Sequence, residues 1–327
     1  MILITGGLGF VGSNTALAML EMGEGCVLTQ HKNGRAPELL KDQVGKRIFI
    51  EPADVLDIEA LLALGRKYKI TGIVHLVTGG GGPAGPGSKA LELAADIHAT
   101  VTSIANILQV GQEWNVKRIS LASAPVVYNG ITDLPWREDQ PLPMTALFPM
   151  EAAKKSGEIV ANYLGRQTQV DCINLRLPAM YGPFYDPMRS SVAGRLVHAA
   201  VKGTKPSFAD MRFGTPYAED GADQCYVKDA ARAIALLHIA DKLNHQLYNV
   251  ASGRSTTNQE IVDAIKKVIP GFNVDLPVRR MSGGPEAALN WTFDITRLHE
   301  DTGYVPQFDI ETGIADYIAW LRAGNQR

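Results

Sequence analysis

Short apolar runs alternate with longer stretches of helical periodicity along most of the chain. Residues 2–5, 26–29, 47–51, 72–77, 117–122, 170–176 and 246–250 carry Ile, Val or Leu in runs too short for helices. Each is expected as a buried strand, because a strand covered on both faces has no need of polar alternation. Between them, residues 11–22, 57–68, 90–114 and 150–166 place apolar side chains at helical spacing. Strand–helix alternation predicts a parallel sheet with right-handed crossovers and helices on both faces, a doubly wound α/β architecture. After residue 177 the rhythm changes: residues 183–221 are rich in Pro, Gly, Asp and aromatics, with one helix expected at 191–202, and residues 256–321 should hold two more. The chain is therefore expected to divide into a sheet domain, residues 1–177 and 223–253, and a smaller discontinuous lobe, residues 178–222 and 254–327. The lobe should cover the carboxyl edge of the sheet, where folds of this kind bind ligands.

Composition narrows the function classes. The 327 residues are 46% hydrophobic and 20% charged, which supplies a sizeable core and argues against disorder. A formal net charge of −2 with no basic run points away from nucleic acid and anionic membranes as partners. Cys26, Cys172 and Cys225 are far apart and match neither a disulfide framework nor a metal spacing, so no metal is expected and a reducing compartment fits. The first residues, MILITGG, have no basic leader, and no apolar run approaches the roughly 20 residues that span a bilayer. A cytoplasmic protein is expected.

Candidate chemistry begins at residues 5–12, TGGLGFVG, between the first apolar strand and an apolar helix. In that context Gly6 permits a tight turn, Gly9 lets the backbone approach a pyrophosphate, and Gly12 allows close packing of the helix, whose N-terminus faces the phosphates. This is the dinucleotide-binding turn of a Rossmann-type domain. An acid is expected at the end of the second strand, about 20 residues on, when the ribose hydroxyls of NAD are held. Gln30 stands there, followed by His31, Lys32 and Arg35. Cationic neighbours suit a 2′-phosphate, so the expected cofactor is NADP, with NAD as the alternative.

From these residues outward the chain resembles the extended short-chain dehydrogenase/reductase family, the NAD(P)-dependent epimerase/dehydratases. The glycine turn is similar to that family's TGxxGxxG. ADVLD, with Asp54 and Val55, resembles its adenine-binding stretch, and HLVT, with Leu76, Val77 and Thr78, its HLAA. VKRISLASAPVVYNG from Val116, RLPAMYGP from Arg176, DQCYVKDAARAI from Asp223 and YNVASGRSTTNQEIVDAI from Tyr248 complete seven motifs in family order. The resemblance implies that Phe10, Val11 and Leu177 also contact the cofactor, that Lys154 binds the nicotinamide ribose, and that the chain forms a homodimer through its long helices.

The catalytic centre departs from that pattern. Counting from Val127-Tyr128 puts the family's Ser/Thr at Ala124, and Pro149, Lys154 and Glu158 put its tyrosine at Met150, giving MEAAK for YxxxK. General acid–base catalysis is worth about 10² to 10⁴ in rate, and neither alanine nor a thioether moves a proton at neutral pH. Membrane-bound nucleotide-sugar 4,6-dehydratases of the family carry methionine at this position, so MxxxK is compatible with activity. The acidic pair of the soluble sugar dehydratases is replaced by Pro125 and Val126, the asparagine of RxxN by Ala179, and GDGxQxRD by GTPYAEDGADQCYV. These departures point away from a nucleotide-linked sugar. A relocated proton carrier is expected at Tyr181, Tyr185 or Asp186, after the sixth strand, with Lys154 orienting the cofactor. Gly79, Ala124, Met150, Ala179 and Arg189 are expected to line the substrate space, beneath a glycine-rich run at 79–87 that suits a lid. The reading is an NAD(P)-dependent oxidoreductase, epimerase or lyase acting on a small polar carbonyl or hydroxyl compound. The alternative is a non-catalytic NAD(P)(H)-binding regulatory or sensor protein.

Overall fold

The computed structural model describes residues 1–31, 38–77, 89–184, 191–209, 211, 215–278 and 290–325. Its strands are β1 (Ile2–Thr5), β2 (Cys26–Gln30), β3 (Ile48–Pro52), β4 (Gly72–His75), β5 (Arg118–Ser123), β6 (Cys172–Arg176), β7 (Ala179–Tyr181), β8 (Gly221–Tyr226), β9 (Leu247–Asn249) and β10 (Ser255–Thr257). Its helices are α1 (Phe10–Glu21), α2 (Ile58–Lys67), α3 (Ala90–Glu113), α4 (Pro149–Thr168), α5 (Val192–Lys202), α6 (Val227–Ile239), α7 (Asn258–Val268), α8 (Thr296–Thr302) and α9 (Ile310–Arg322).

Seven strands form one parallel sheet in the order β3-β2-β1-β4-β5-β6-β9. Successive side chains of a strand point to opposite faces, and both faces are buried. Ile4, Leu28 and Val74 pack with Ala230, Ala231 and Ile234 of α6, while Leu3, Val27 and Ile73 pack with Ile104, Ile107 and Leu108 of α3. The chain leaves β1 towards β2 on one side and reaches β4 on the other. The crevice between the carboxyl ends of β1 and β4 is therefore the topological switch point, where open α/β sheets bind ligands.

A second core joins α5, α7 and α9 through Leu196, Ile261, Ile265, Ile314, Tyr317 and Ile318. A small sheet, β10-β8-β7, borders it. Neither this sheet nor α6 stood out in the sequence, and the tail holds three helices where two were expected. β7 and β10 have three residues each and α8 has seven, too few to display a period. The tail also divides: Leu298 and Tyr304 return to the core of the large sheet.

Candidate active site

The glycine turn is built by sterics at two positions. Gly6 has φ +71°, the left-handed region, and a Cβ on Gly12 would stand 2.2 Å from the Gly6 carbonyl oxygen and 2.6 Å from the Gly7 Cα. Gly9 N–H closes the turn on Gly6 O at 3.0 Å. α1 then begins, with Phe10 and Val11 in its first turn, without a capping side chain and without an acid. Its N-terminal amides and the positive end of its dipole are left to a phosphate group. β4 closes the other side. Leu76 N–H donates to Thr5 O at 3.1 Å, and Leu76 and Val77 would meet a Cβ on Gly6 at 3.4 and 3.5 Å. These are the features a dinucleotide pyrophosphate needs, and a side chain at Gly12 would fill the cradle.

At the end of β2, Gln30 is partly exposed and carries no charge. The next residue, His31, places Nδ1 3.3 Å from Asp54 Oδ2, and Asp54 also accepts from Leu56 N–H at 2.9 Å. Sequence alone does not reveal this pair, because His31 reads as part of a basic loop and Asp54 lies far along the chain, beyond β3. Val55 is buried, and its carbonyl accepts from Asn106 of α3 at 3.0 Å. Lys32, Arg35, Thr78 and Gly79, with the rest of the glycine-rich run, lie outside the described residues.

Lys154 occupies the inner face of α4, only 5% exposed. Its ammonium donates to Ala122 O at 2.7 Å, two residues before Ala124. Burial lowers its pKa from 10.5 to about 8, against a smaller raising effect of the Glu158 carboxylate. Met150 lies one turn earlier on α4, partly exposed. Ala124 precedes the 3-10 turn Pro125–Tyr128. Leu177 is buried and hydrogen-bonded through its N–H to Ser123 O at 3.4 Å. Ala179 sits on β7 opposite Gln224.

Ser123 is turned into a polar cluster. Its hydroxyl donates to Glu158 Oε1 at 2.5 Å, and Arg176 donates to both oxygens of the same carboxylate at 3.0 and 2.7 Å. Arg176 also lies 4.5 Å above the Tyr128 ring. The sequence carries a trace of this cluster, missed among the motifs: Asn174 and Arg176 interrupt the apolar strand β6 at alternate positions. Tyr128 is fully buried and donates to Asn249 Oδ1 at 2.8 Å. His75 is a satisfied core residue, with Nδ1 2.7 Å from Thr5 Oγ1 and Nε2 3.3 Å from Ser103 Oγ.

The expected proton carriers fare differently. Tyr181 is 1% exposed, its ring 5.2 Å from that of Tyr226, and its hydroxyl rests on Gly313 of α9. Burial pushes its pKa far up. It is a core residue of the lobe and not a proton carrier, because it neither meets the cleft nor ionises near neutral pH. His198 is likewise internal, Nε2 2.8 Å from the Tyr317 hydroxyl. Tyr185, Asp186 and Arg189 lie outside the described residues.

Fold and site together define a Rossmann-type dinucleotide-binding protein whose lysine half-site is in place and whose tyrosine is replaced. The sequence model of the NAD dependent epimerase/dehydratase family matches residues 2–251. The chain belongs to this family, within the extended short-chain dehydrogenases/reductases. It is 25% identical to a UDP-glucose 4-epimerase of Mycolicibacterium smegmatis over 99% of both chains. It is 23% identical to dTDP-glucose 4,6-dehydratase of Escherichia coli over 98% of this chain and 92% of that one. Among solved structures, UDP-glucose 4-epimerase of Thermotoga maritima with UDP-glucose superposes with a TM-score of 0.78 at 21% identity, covering 99% of both chains. A dTDP-glucose 4,6-dehydratase of Bacillus anthracis in complex with NAD gives a TM-score of 0.77 at 18% identity, over 98% of this chain and 96% of that one. Among the described residues no helix is long and apolar enough to cross a membrane.

Proposed function

We propose that the chain is an NAD(P)-dependent enzyme that moves a hydride to or from a small polar hydroxyl or carbonyl compound, with Lys154 carrying the proton that a tyrosine carries elsewhere in the family. One observation supports this most: a buried lysine whose pKa is lowered to about 8 stands one turn from Met150 and against the strand end that leads to Ala124. A lysine in that range is matched to proton transfer near neutral pH. When bound, the nicotinamide supplies hydride transfer and nothing for the proton. The neutral amine at Lys154 Nζ takes the hydroxyl proton of the substrate on oxidation and returns it on reduction. Gly6, Gly9 and Gly12 bind the pyrophosphate. Met150 and Ala124 present apolar surface that excludes water. Arg176 and Ser123 hold Glu158, whose charge favours the protonated lysine.

NADP is the proposed cofactor, because Gln30 ends β2 without a carboxylate. NAD is the second reading, supported by solved neighbours bound to NAD. A titration in which NAD binds at least as tightly as NADP, in wild type and Arg35→Ala alike, reverses that choice. The nucleotide sugars named for the relatives head the substrate panel, followed by free sugars and hydroxy acids. We also propose a homodimer through α3 and α4. A cytoplasmic location is supported by three free, buried cysteines.

The test is turnover of that panel by wild type, Lys154→Arg and Lys154→Ala. The expected result is a kcat/KM that rises through an apparent pKa near 8 and is lost in both variants, with cofactor still bound by Lys154→Arg. Turnover kept by Lys154→Arg and lost in Tyr185→Phe or Asp186→Asn would move the proton to those residues. Tight cofactor binding with no turnover of any panel member would make the chain a sensor.

A further inference from the structure

A polar cleft of about 570 Å³ lies between α4, α8 and the amino ends of β6 and β9. Cofactor chemistry belongs to the carboxyl ends of β1 and β4, so the cleft is at the other end of the strands and, with β4 and β5 intervening, three strands away from β1. We propose that it is a second ligand site, for a small molecule bearing a carboxylate or a phosphate. Its volume lies within the range of small-molecule sites.

Charge points to an anion. Four formally charged side chains line the cleft: Glu158, Arg166, Asp171 and Arg297. Both acids are already engaged by arginines that do not line it. Glu158 holds Arg176 at 2.7 Å, and Asp171 holds Arg118 at 2.7 Å. The two basic groups are not matched in this way. Arg297 approaches Glu138 only to 3.7 Å, beyond hydrogen-bond range. Arg166, exposed on the last turns of α4, has no ion-pair partner among the described residues. The uncompensated charge of the cleft is therefore guanidinium, the group that matches carboxylate and phosphate oxygens in a planar fork.

Asn174 supplies an independent sign of a ligand. It lies in the middle of β6, is 7% exposed, and lines the cleft. Its backbone N–H is used by Gln246 O at 2.9 Å, whereas its side-chain amide has no hydrogen-bond partner among the described residues. A buried amide left unmatched costs about 1–3 kcal/mol, so such groups are normally satisfied by protein, water or ligand. His245 and the Asn244 side of the same loop complete the polar wall. Glu158 and Asn174 also line the small cavity around Lys154, so the cleft and the buried lysine share two side chains.

The site stands apart from the cofactor reading, and its test separates the two. Inorganic phosphate and acetate are titrated into the full chain, with and without saturating dinucleotide, followed by calorimetry and by amide chemical shifts. The expected result is saturable binding of one anion per chain, insensitive to dinucleotide, with shifts at residues 166, 174 and 245. Arg166→Gln, a surface change that leaves the fold intact, should raise the dissociation constant about tenfold, the loss expected of one charge-assisted contact. Asn174→Leu should weaken it comparably. A stronger response to phosphate than to acetate assigns the ligand to phosphorylated compounds, and the reverse to carboxylic acids. No saturable binding, binding displaced by dinucleotide, or binding unchanged in Arg166→Gln would each overturn the proposal.

Discussion

Lys154 illustrates how a single residue trades stability for chemistry. Its pKa falls from 10.5 to about 8 on folding because burial penalises the charged form. Between those values the unfolded chain binds more protons than the fold. Stability therefore rises with pH across that window, by about 1.4 kcal/mol for each pH unit, and is lower at neutral pH than at high pH. Lys154→Met removes that penalty and forfeits the hydrogen bond to Ala122 O, worth about 1 kcal/mol. The expected net effect is a gain of roughly 1–3 kcal/mol in urea unfolding at pH 7. The gain should shrink by about half or more at about pH 9.5. A loss of stability at pH 7 would mean that the lysine is held by contacts stronger than its desolvation.

At the scale of elements, most of the large sheet was legible because its strands are apolar on both faces and its helices are long enough to show a period. β1 came out with its full bounds, and α1 and α4 within two residues at either end. The small sheet was not legible. β8 hides Asp223 completely and satisfies it with Ser252, Gly253 and Phe293, so a charged residue that reads as exposed in sequence is internal in space. The site divided in the same way. The glycine turn is local and was read directly, whereas Glu158, Ser123 and Arg176 meet only through tertiary packing, and Tyr181 looked like a cleft residue because sequence shows neighbours and not directions. α3 and α4 leave Leu91, Ile159 and Tyr163 at 85%, 58% and 62% exposure, large apolar side chains on adjacent helices. The proposed homodimer should bury them. Sedimentation at micromolar concentration is expected to give a dimer, and Ile159→Glu with Tyr163→Glu a folded monomer; a wild-type monomer would contradict the proposal.

For the whole molecule, acid sensitivity should follow from buried imidazoles. His75 and His238 are buried, and burial lowers both pKa values from 6.5 to about 3, with smaller effects from Lys154 on the first and from Arg118 and Lys117 on the second. His238 Nδ1 is 2.9 Å from Ser120 Oγ. Both histidines stay neutral in the fold and take up a proton on unfolding below pH 6.5. Their contribution is complete above that pH and is lost as pH falls towards 3. The pair should remove up to about 3 kcal/mol of stability per pH unit below pH 6, before most carboxylates titrate. Urea midpoints between pH 7 and 5 measure the slope, and His238→Gln should roughly halve it. A slope unchanged in that variant would assign acid unfolding to other groups.

Everything proposed for Lys154 depends on a dinucleotide seated on the glycine turn, and that claim has a direct measurement. Reduced NADP and NAD are titrated into wild type and Gly12→Val, followed by nicotinamide fluorescence, with circular dichroism to establish that the variant is folded. A valine side chain would begin 2.2 Å from the Gly6 carbonyl oxygen, so the cradle cannot keep its shape. The expected result is saturable binding by wild type, tighter for the NADP form, and a loss of affinity of about 100-fold or more in folded Gly12→Val. Unchanged affinity in Gly12→Val, or no binding by wild type, would contradict a dinucleotide held at residues 5–12.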